Sequence, residues 1–365
     1  MKVMTVLGTR PEIIRLSLVI RLLDQHCDHL LVHTGQNYDP NLNDIFFREL
    51  GVRAPDVYLG IRASTIGEQI GRILIETEKE IRRFQPDRIL ILGDTNSGLV
   101  SIIARRMGIP VFHMEAGNRA FDPRMPEETN RKIIDHSSRI LLPYTERSKE
   151  NLLNEGIPGR FIYVTGNPIY EVIESFRPRL ESLDTLARYT VQPQQYFLVT
   201  AHREENVDTE SRLRSILTAL DQIQQQYKVP VLYSLHPRTR DKMQKFGIQV
   251  TNPEVRLHEP MGFFDFINLE LNALCVLTDS GTVQEECCIY RVRNVTLRDN
   301  TERPETVDCG SNILAGTDTD SILRTVKIVL ENDTNWSIPP EYLERQVAQK
   351  VVRMLLSYLH EGLTT

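Results

Sequence analysis

The stretch Ile109–Arg131, IPVFHMEAGNRAFDPRMPEETNR, decides the fold. It opens on an apolar run, Ile109 to Phe112, short and β-branched enough to read as a strand buried on both faces. His113, Glu115 and Arg119 arrive at the end of that run, and Asp122, Arg124, Glu127, Glu128 and Arg131 follow at once. From Asn130 to Ser137 the spacing turns helical. Strand, polar loop and helix make the repeating unit of a parallel α/β sheet, in which ligands sit outside the carboxyl ends of the strands. The cluster of carboxylates, arginines and one histidine therefore falls where such a fold places chemistry. The same residues also suit a solvated loop whose charges pair with one another, and this segment alone leaves both readings open.

The same rhythm runs outward in both directions. Toward the N-terminus and just beyond Arg131, Lys2–Leu7, Leu30–His33, Arg88–Leu92, Pro110–Met114, Arg139–Leu142 and Ile162–Val164 read as strands. Glu12–Gln25, Ile66–Phe84, Ser97–Met107, Asn130–Ser137 and Ser148–Glu155 read as the helices between them. A second series starts near Tyr196, with strands at Tyr196–Thr200, Val231–Ser234, Val255–Leu257, Cys275–Thr278 and Asn294–Leu297. Its helices are Ser211–Tyr227, Phe263–Leu274, Thr282–Ile289 and Ser321–Glu331. Alternating β and α predicts parallel, doubly wound sheets. The polar stretch Arg177–Gln195, with Pro178 and Pro193, reads as the linker, and Pro339-Pro340 as the start of a last helix running to about Leu359. Two Rossmann-like domains imply a cleft between them, a common place for a small ligand.

Composition sets the outer limits. At 365 residues the chain is long for one core, so two domains are expected. A net charge of −6 argues against a duplex nucleic-acid binder, which carries a basic face. No apolar run approaches the ~18 residues of a membrane span, and MKVMTVLGTRPE turns polar too soon for a secretory signal. The five cysteines form no CxxC and no zinc spacing, so a reducing, cytoplasmic setting without a metal is expected.

Polar motifs recur at the strand ends. Gly8-Thr9-Arg10-Pro11-Glu12 follows the first strand and opens a helix; it reads as an anion site built on free N–H groups and Arg10, or as a plain capped turn. Gly93-Asp94-Thr95-Asn96-Ser97 offers either a helix-start acid or a third carboxylate beside Glu115 and Glu128. In the second series, His202 and Arg203 end the first strand, His236 and Arg238 the second. Asp279-Ser280-Gly281-Thr282 precedes a helix and suits a diphosphate, with Glu286 placed to hold ribose hydroxyls. Arg303 lies in the charged turn Thr301–Glu305. Each motif also has a bland reading as a capped helix, but their joint placement at strand ends is that of a cleft enzyme.

In order along the chain, GTRPEIIRL, HTGQNY, GDTNS, HMEAGNR, PEETNR, VTGNP, TAHREEN, LHPRTR, TDSGTVQEE and RDNTERPE resemble the non-hydrolysing UDP-N-acetylglucosamine 2-epimerases. The resemblance spans nearly the whole chain. It implies a GT-B fold: a Rossmann-like domain over residues 1–176 with the catalytic carboxylates, a UDP-binding domain over 177–339, and a helix over 340–365 returning to the first. It implies interconversion of UDP-GlcNAc and UDP-ManNAc by elimination of UDP to a 2-acetamidoglucal and re-addition, with no cofactor. It places Asp94, Glu115, Glu128 and His202 in the catalytic group, and Arg10, Arg15, His236, Arg238, Ser280, Gly281, Thr282, Glu286 and Arg303 in substrate binding. A homodimer is expected, serving polysaccharide synthesis.

The chain departs from that pattern in places. Arg15 stands for the family's lysine, Asn118 for the leucine of EAGLR, and Thr282 for the second glycine of DSGG. EAGNR and DSGT also resemble the branch that epimerises UDP-2-acetamido-2,6-dideoxy-L-talose, which is the alternative substrate. Gln36-Asn37-Tyr38-Asp39 differs from the Gln-His-Arg of homologues activated by a second UDP-GlcNAc. A GT-B glycosyltransferase and a hydrolysing 2-epimerase are the remaining alternatives.

Overall fold

Apolar runs buried on both faces form the central strands, as parallel sheets require, while the edge strands are part-exposed. The computed structural model describes residues 1–35 and 40–357, and the backbone alone for 40–44. Gln36–Asp39 lie outside the described residues. The first sheet holds β1 (Lys2–Leu7), β2 (Asp28–His33), β3 (Val57–Tyr58), β4 (Arg88–Leu92), β5 (Val111–Met114) and β6 (Ile140–Leu142). The second holds β7 (Phe197–Thr200), β8 (Val231–Ser234), β9 (Val255–His258), β10 (Cys275–Thr278), β11 (Asn294–Thr296) and β12 (Asn312–Leu314). All pairs are parallel.

The two sheets share one topology. The first runs β3-β2-β1-β4-β5-β6 and the second β9-β8-β7-β10-β11-β12, each the doubly wound order of a dinucleotide fold. Winding reverses between β1 and β4 in one sheet and between β7 and β10 in the other. The loops after those four strands are Gly8–Thr9, Gly93–Thr95, Ala201–Arg203 and Asp279–Ser280, so four of the polar motifs sit at the switch points.

The chain divides into two units: residues Met1–Ser175 with Pro340–Thr365, and residues Phe176–Pro339. The first is cored by Met4, Val6, Val32, Ile89, Ile91, Val100 and Ile134. The second is cored by Phe197, Val199, Leu213, Ile216, Leu220, Val231, Leu277 and Val295. The Ile66–Phe84 helix starts with a reciprocal cap: Thr65 accepts from Glu68 N, and the Glu68 carboxylate accepts from Ser64 N.

Several expectations are corrected. Ile162–Val164 is not a strand; Ile162 makes a single bridge to Leu141 before Gly166 turns the chain into the Pro168–Ser175 helix. The linker stretch contains two short helices, Arg177–Glu181 and Thr185–Arg188. The last helix is broken. A 3-10 turn at Pro340–Leu343 precedes Val347–Leu356, because the Glu344 carboxylate accepts from Arg345 N and Gln346 N and diverts them from the helical ladder. Val347–Leu356 packs on the Arg10–His26 helix, and Arg88 donates to the Leu355 carbonyl.

Candidate functional site

The first unit gathers its polar residues on the turns after β1, β4 and β5. Glu115 follows β5 with φ +66°, in the left-handed region that costs a non-glycine residue on the order of 1–2 kcal/mol. Surroundings must hold it there, and they are specific. Arg15 pairs with one carboxylate oxygen, and Asn118 Nδ2 donates to the other at 3.2 Å. Arg15 is 2 % exposed and lies over the Tyr144 ring; Glu115 is 9 % exposed. Asn118 is fixed in turn by Ser148 Oγ, which donates to Asn118 Oδ1 at 2.9 Å. Gly117, at φ +80°, closes the turn so tightly that a Cβ there would meet Ser148 O at 2.1 Å.

Arg131 joins the other two carboxylates. Its Nε donates to Asp94 Oδ2 at 2.9 Å and its Nη1 to Glu128 Oε2 at 2.8 Å. Glu128 also accepts from Ala120 N at 3.1 Å and from Phe121 N at 3.3 Å, so it ties down the loop between β5 and its helix. The guanidinium offsets the repulsion that two carboxylates would otherwise exert on each other.

Behind this row stands a buried frame. His113 Nε2 donates to the Gly93 carbonyl at 2.8 Å, and Nδ1 faces Asp135 Oδ1 at 2.8 Å. Asp135 Oδ2 accepts from Gly117 N and from Arg119 Nη2. Burial pushes the Asp135 carboxyl up, but the bonds and charges of His113 and Arg119 outweigh it and hold the group below its usual range. His113 and Arg119, placed by the sequence within the polar cluster, thus lock the β4 and β5 turns to each other. Asp122 and Arg124 pair locally at 2.6 Å.

On the β1 turn, Arg10 has no hydrogen-bond or ion-pair partner among the described residues, and its guanidinium lies over the Phe46 ring at 5.6 Å. Burial without a counter-ion lowers its pKa. Glu12 organises this turn, accepting from Gly8 N at 3.0 Å, Thr9 Oγ1 at 2.7 Å and Thr95 Oγ1 at 3.2 Å. Burial raises it to about 7 despite those bonds. Sequence reasoning quoted Glu12 but gave it no role; its spacing three after Thr9 is the signal of a cap.

In the second unit, the register Thr200↔Thr278 sets the turn after β7 beside Asp279. Asp279, fully buried, accepts from His202 N and Arg203 N at 2.8 Å and from Asn206 Nδ2 at 3.0 Å. The His202 ring stacks on His236 with centroids 5.2 Å apart, and His236 Nδ1 caps its own helix by accepting from Arg238 N. Arg238 is held by Asp208, at 2.9 and 2.8 Å, and by Glu204 at 2.6 Å. The Arg238 bond in particular holds Asp208 down at about 2.

Ser280 stands at the N-cap position of the Gly281–Tyr290 helix without a side-chain capping bond, its hydroxyl 3.0 Å from Thr282 Oγ1, with the first N–H groups of the helix following. Glu286 is one turn further and buried. Arg303 pairs with Glu285 at 2.5 Å, and Glu302 accepts from Arg298 and Arg203. Asp279, Asn206 and Glu302 stand inside the polar motifs read from the sequence, but no supporting role was read for them; their bonds hold the turns after β7 and β11. Only the fold's strand ends could have pointed to that role.

Comparison with known proteins shows the family. A family model described as UDP-N-acetylglucosamine 2-epimerase matches residues 22–356. A UDP-N-acetylglucosamine 2-epimerase of Methanocaldococcus jannaschii is 41 % identical over 97 % of this chain and 99 % of its own length. A UDP-2,3-diacetamido-2,3-dideoxy-D-glucuronate 2-epimerase of Pseudomonas aeruginosa is 38 % identical over 90 % of this chain and 92 % of its own. Among solved structures, the M. jannaschii UDP-GlcNAc 2-epimerase in complex with UDP-GlcNAc and UDP superposes with a TM-score of 0.93 at 42 % identity, covering 97 % of this chain and 99 % of that one.

Proposed function

The chain belongs to the UDP-N-acetylglucosamine 2-epimerase family, and from that premise we propose that it is an isomerase interconverting UDP-GlcNAc and UDP-ManNAc. The C2–H of the sugar has no neighbouring carbonyl to acidify it. Loss of UDP together with the C2 proton gives a 2-acetamidoglucal, and UDP then returns with a proton delivered to the opposite face. Inversion of this kind needs one group to take the proton and another to give one back, plus charge stabilisation for the departing diphosphate.

The observation that carries this reading is the row of three arginine-anchored carboxylates, Asp94, Glu115 and Glu128, on the turns and helix after β4 and β5. In this reading they work on C2, with His202 as a further catalytic group. Arg10, unpaired among the described residues, and the Ser280–Thr282 helix start supply positive potential to the diphosphate, and Glu286 binds the ribose. Arg238 reaches the diphosphate only by giving up Asp208 or Glu204. Arg15 acts through Glu115 and Arg303 through Glu285.

The relatives do not favour the 6-deoxy-L-talose substrate. A homodimer in the cytoplasm, supplying polysaccharide synthesis, completes the proposal. The five free thiols fit the cytoplasmic part of it. No helix among the described residues is long and apolar enough to cross a membrane.

Incubation with UDP-GlcNAc in deuterated water, followed by NMR, tests the whole reading. UDP-ManNAc should form with deuterium at C2. Asp94→Asn, Glu115→Gln and Glu128→Gln should each lose about 10²–10⁴-fold in rate and still bind UDP. Free ManNAc as product, or three folded variants with near wild-type turnover, overturns it.

A further inference from the structure

Behind Glu286 lies a second acid with no role in the chemistry above. Glu270 sits on the Phe263–Asn272 helix and is 1 % exposed; Glu286, on the neighbouring Gly281–Tyr290 helix, is 5 % exposed. The two helices pack on each other, and the two carboxyl groups face each other closely enough to share a hydrogen bond. Two ionised carboxylates are acceptors only, so a proton must lie between them.

The surroundings say which acid carries it. Cys287 Sγ donates to Glu270 Oε1 at 3.4 Å. Glu270 Oε2 is buried and meets no donor, as expected of an oxygen that bears hydrogen itself. The groups facing Glu270 are Glu286 and Cys287 on one helix and, just before β7, Tyr196, whose hydroxyl is turned away to the Leu269 carbonyl. None is a cation that could stabilise a second negative charge. Burial first, and the Glu286 charge second, push the Glu270 carboxyl well above the usual range.

We propose that Glu270 is a positioning residue for Glu286: a neutral carboxylic acid that donates to one Glu286 oxygen and leaves the charged remainder presented to the vicinal hydroxyls of a ribose. The proposal rests on the reading of Glu286 as the ribose-binding acid. Its logic is that of a short proton-locked pair. An apolar residue at 270 would remove this bond from Glu286, and a charged one would repel it. A glutamine keeps every bond, its carbonyl accepting from Cys287 and its amide donating to Glu286, without a titrating group.

Calorimetry with UDP and with 2′,3′-dideoxy-UDP separates the possibilities. Wild type should prefer UDP by roughly ten- to hundredfold, the range of paired bonds to a charged group. Glu270→Gln should keep that preference within about threefold. Glu270→Leu should lose most of it, with dideoxy-UDP affinity unchanged. A folded Glu270→Leu variant that keeps the preference, or weakens both ligands equally, overturns the proposal and leaves the ribose reading intact if Glu286→Gln still abolishes the preference. No preference in wild type removes the ribose reading and this proposal with it. Should Glu270→Leu not fold, infrared spectroscopy of wild type at pH 7 decides. A protonated carboxyl stretch lost in Glu270→Gln is expected, and its absence in wild type overturns the assignment.

Discussion

Glu115 shows how far a single residue's role depends on partners distant in sequence. Both positions where its neighbourhood departs from the family pattern, Arg15 and Asn118, converge on its carboxylate. The departures are visible in the sequence; that they meet on one side chain is not, since Arg15 lies on another element. Replacing Asn118 by leucine removes one bond to a charged group, worth about 1.5 kcal/mol or roughly tenfold. We expect Asn118→Leu to lower kcat by that factor and to leave UDP affinity unchanged; an unaltered kcat would show that Arg15 alone holds Glu115. Glu12 carries a second prediction. Its pKa rises from the ordinary 4.5 to about 7 through burial, so its contribution to stability is complete below 4.5 and is lost as pH rises through about 7. The loss is roughly 3 kcal/mol at 1.36 kcal/mol per pH unit. Glu12→Gln should flatten that fall in urea-unfolding curves between pH 5 and 8. Parallel curves for the two proteins would exclude Glu12 as the source.

Elements were legible in proportion to their length and their burial. Lys2–Leu7, Arg88–Leu92, Val231–Ser234, Cys275–Thr278 and the Ile66–Phe84 helix stand where the pattern places them. The two strands not anticipated, Val57–Tyr58 and Asn312–Leu314, are edge strands of two and three residues, too short to display a period. Four of the missed helices share another cause. Pro40–Glu49, Pro168–Ser175, Pro237–Lys245 and Pro304–Asp308 each begin on a proline, and proline punctuates loops as readily as it opens helices. The site turns depend on such element ends. Gly117 and Gly108 both have positive φ, but only Gly117 faces a backbone atom where a Cβ would go; Gly108 faces open space. Gly108→Ala should therefore cost about 1 kcal/mol. Gly117→Ala should cost about 3 kcal/mol or more and remove activity, because the Glu115 turn must open. Equal losses in chemical denaturation would mean that conformation alone, and not the approach of Ser148, sets the requirement.

At the scale of the molecule, two doubly wound sheets were readable from the alternation of strands and helices. The chain's return to the first unit was not legible in that alternation and was implied only by the family resemblance, because the polar run after Arg177 carries no record of which unit its ends serve. Val347, Val351 and Leu355 are buried in the final helix, which packs on Arg10–His26. A chain ending at Pro339 should expose that face. Limited proteolysis should then degrade residues 1–175 while residues 176–339 resist, and equal resistance of both would show the helix to be dispensable. The return of Pro340–Thr365 to the first unit also has a consequence for biosynthesis. At roughly 5–20 residues per second, the ribosome finishes the second unit before it releases the segment that completes the first. For about 10–35 seconds the N-terminal half waits with an apolar helix face uncovered. The part of the chain made first is therefore the last to be finished, and the nascent protein is most in need of a chaperone at its beginning.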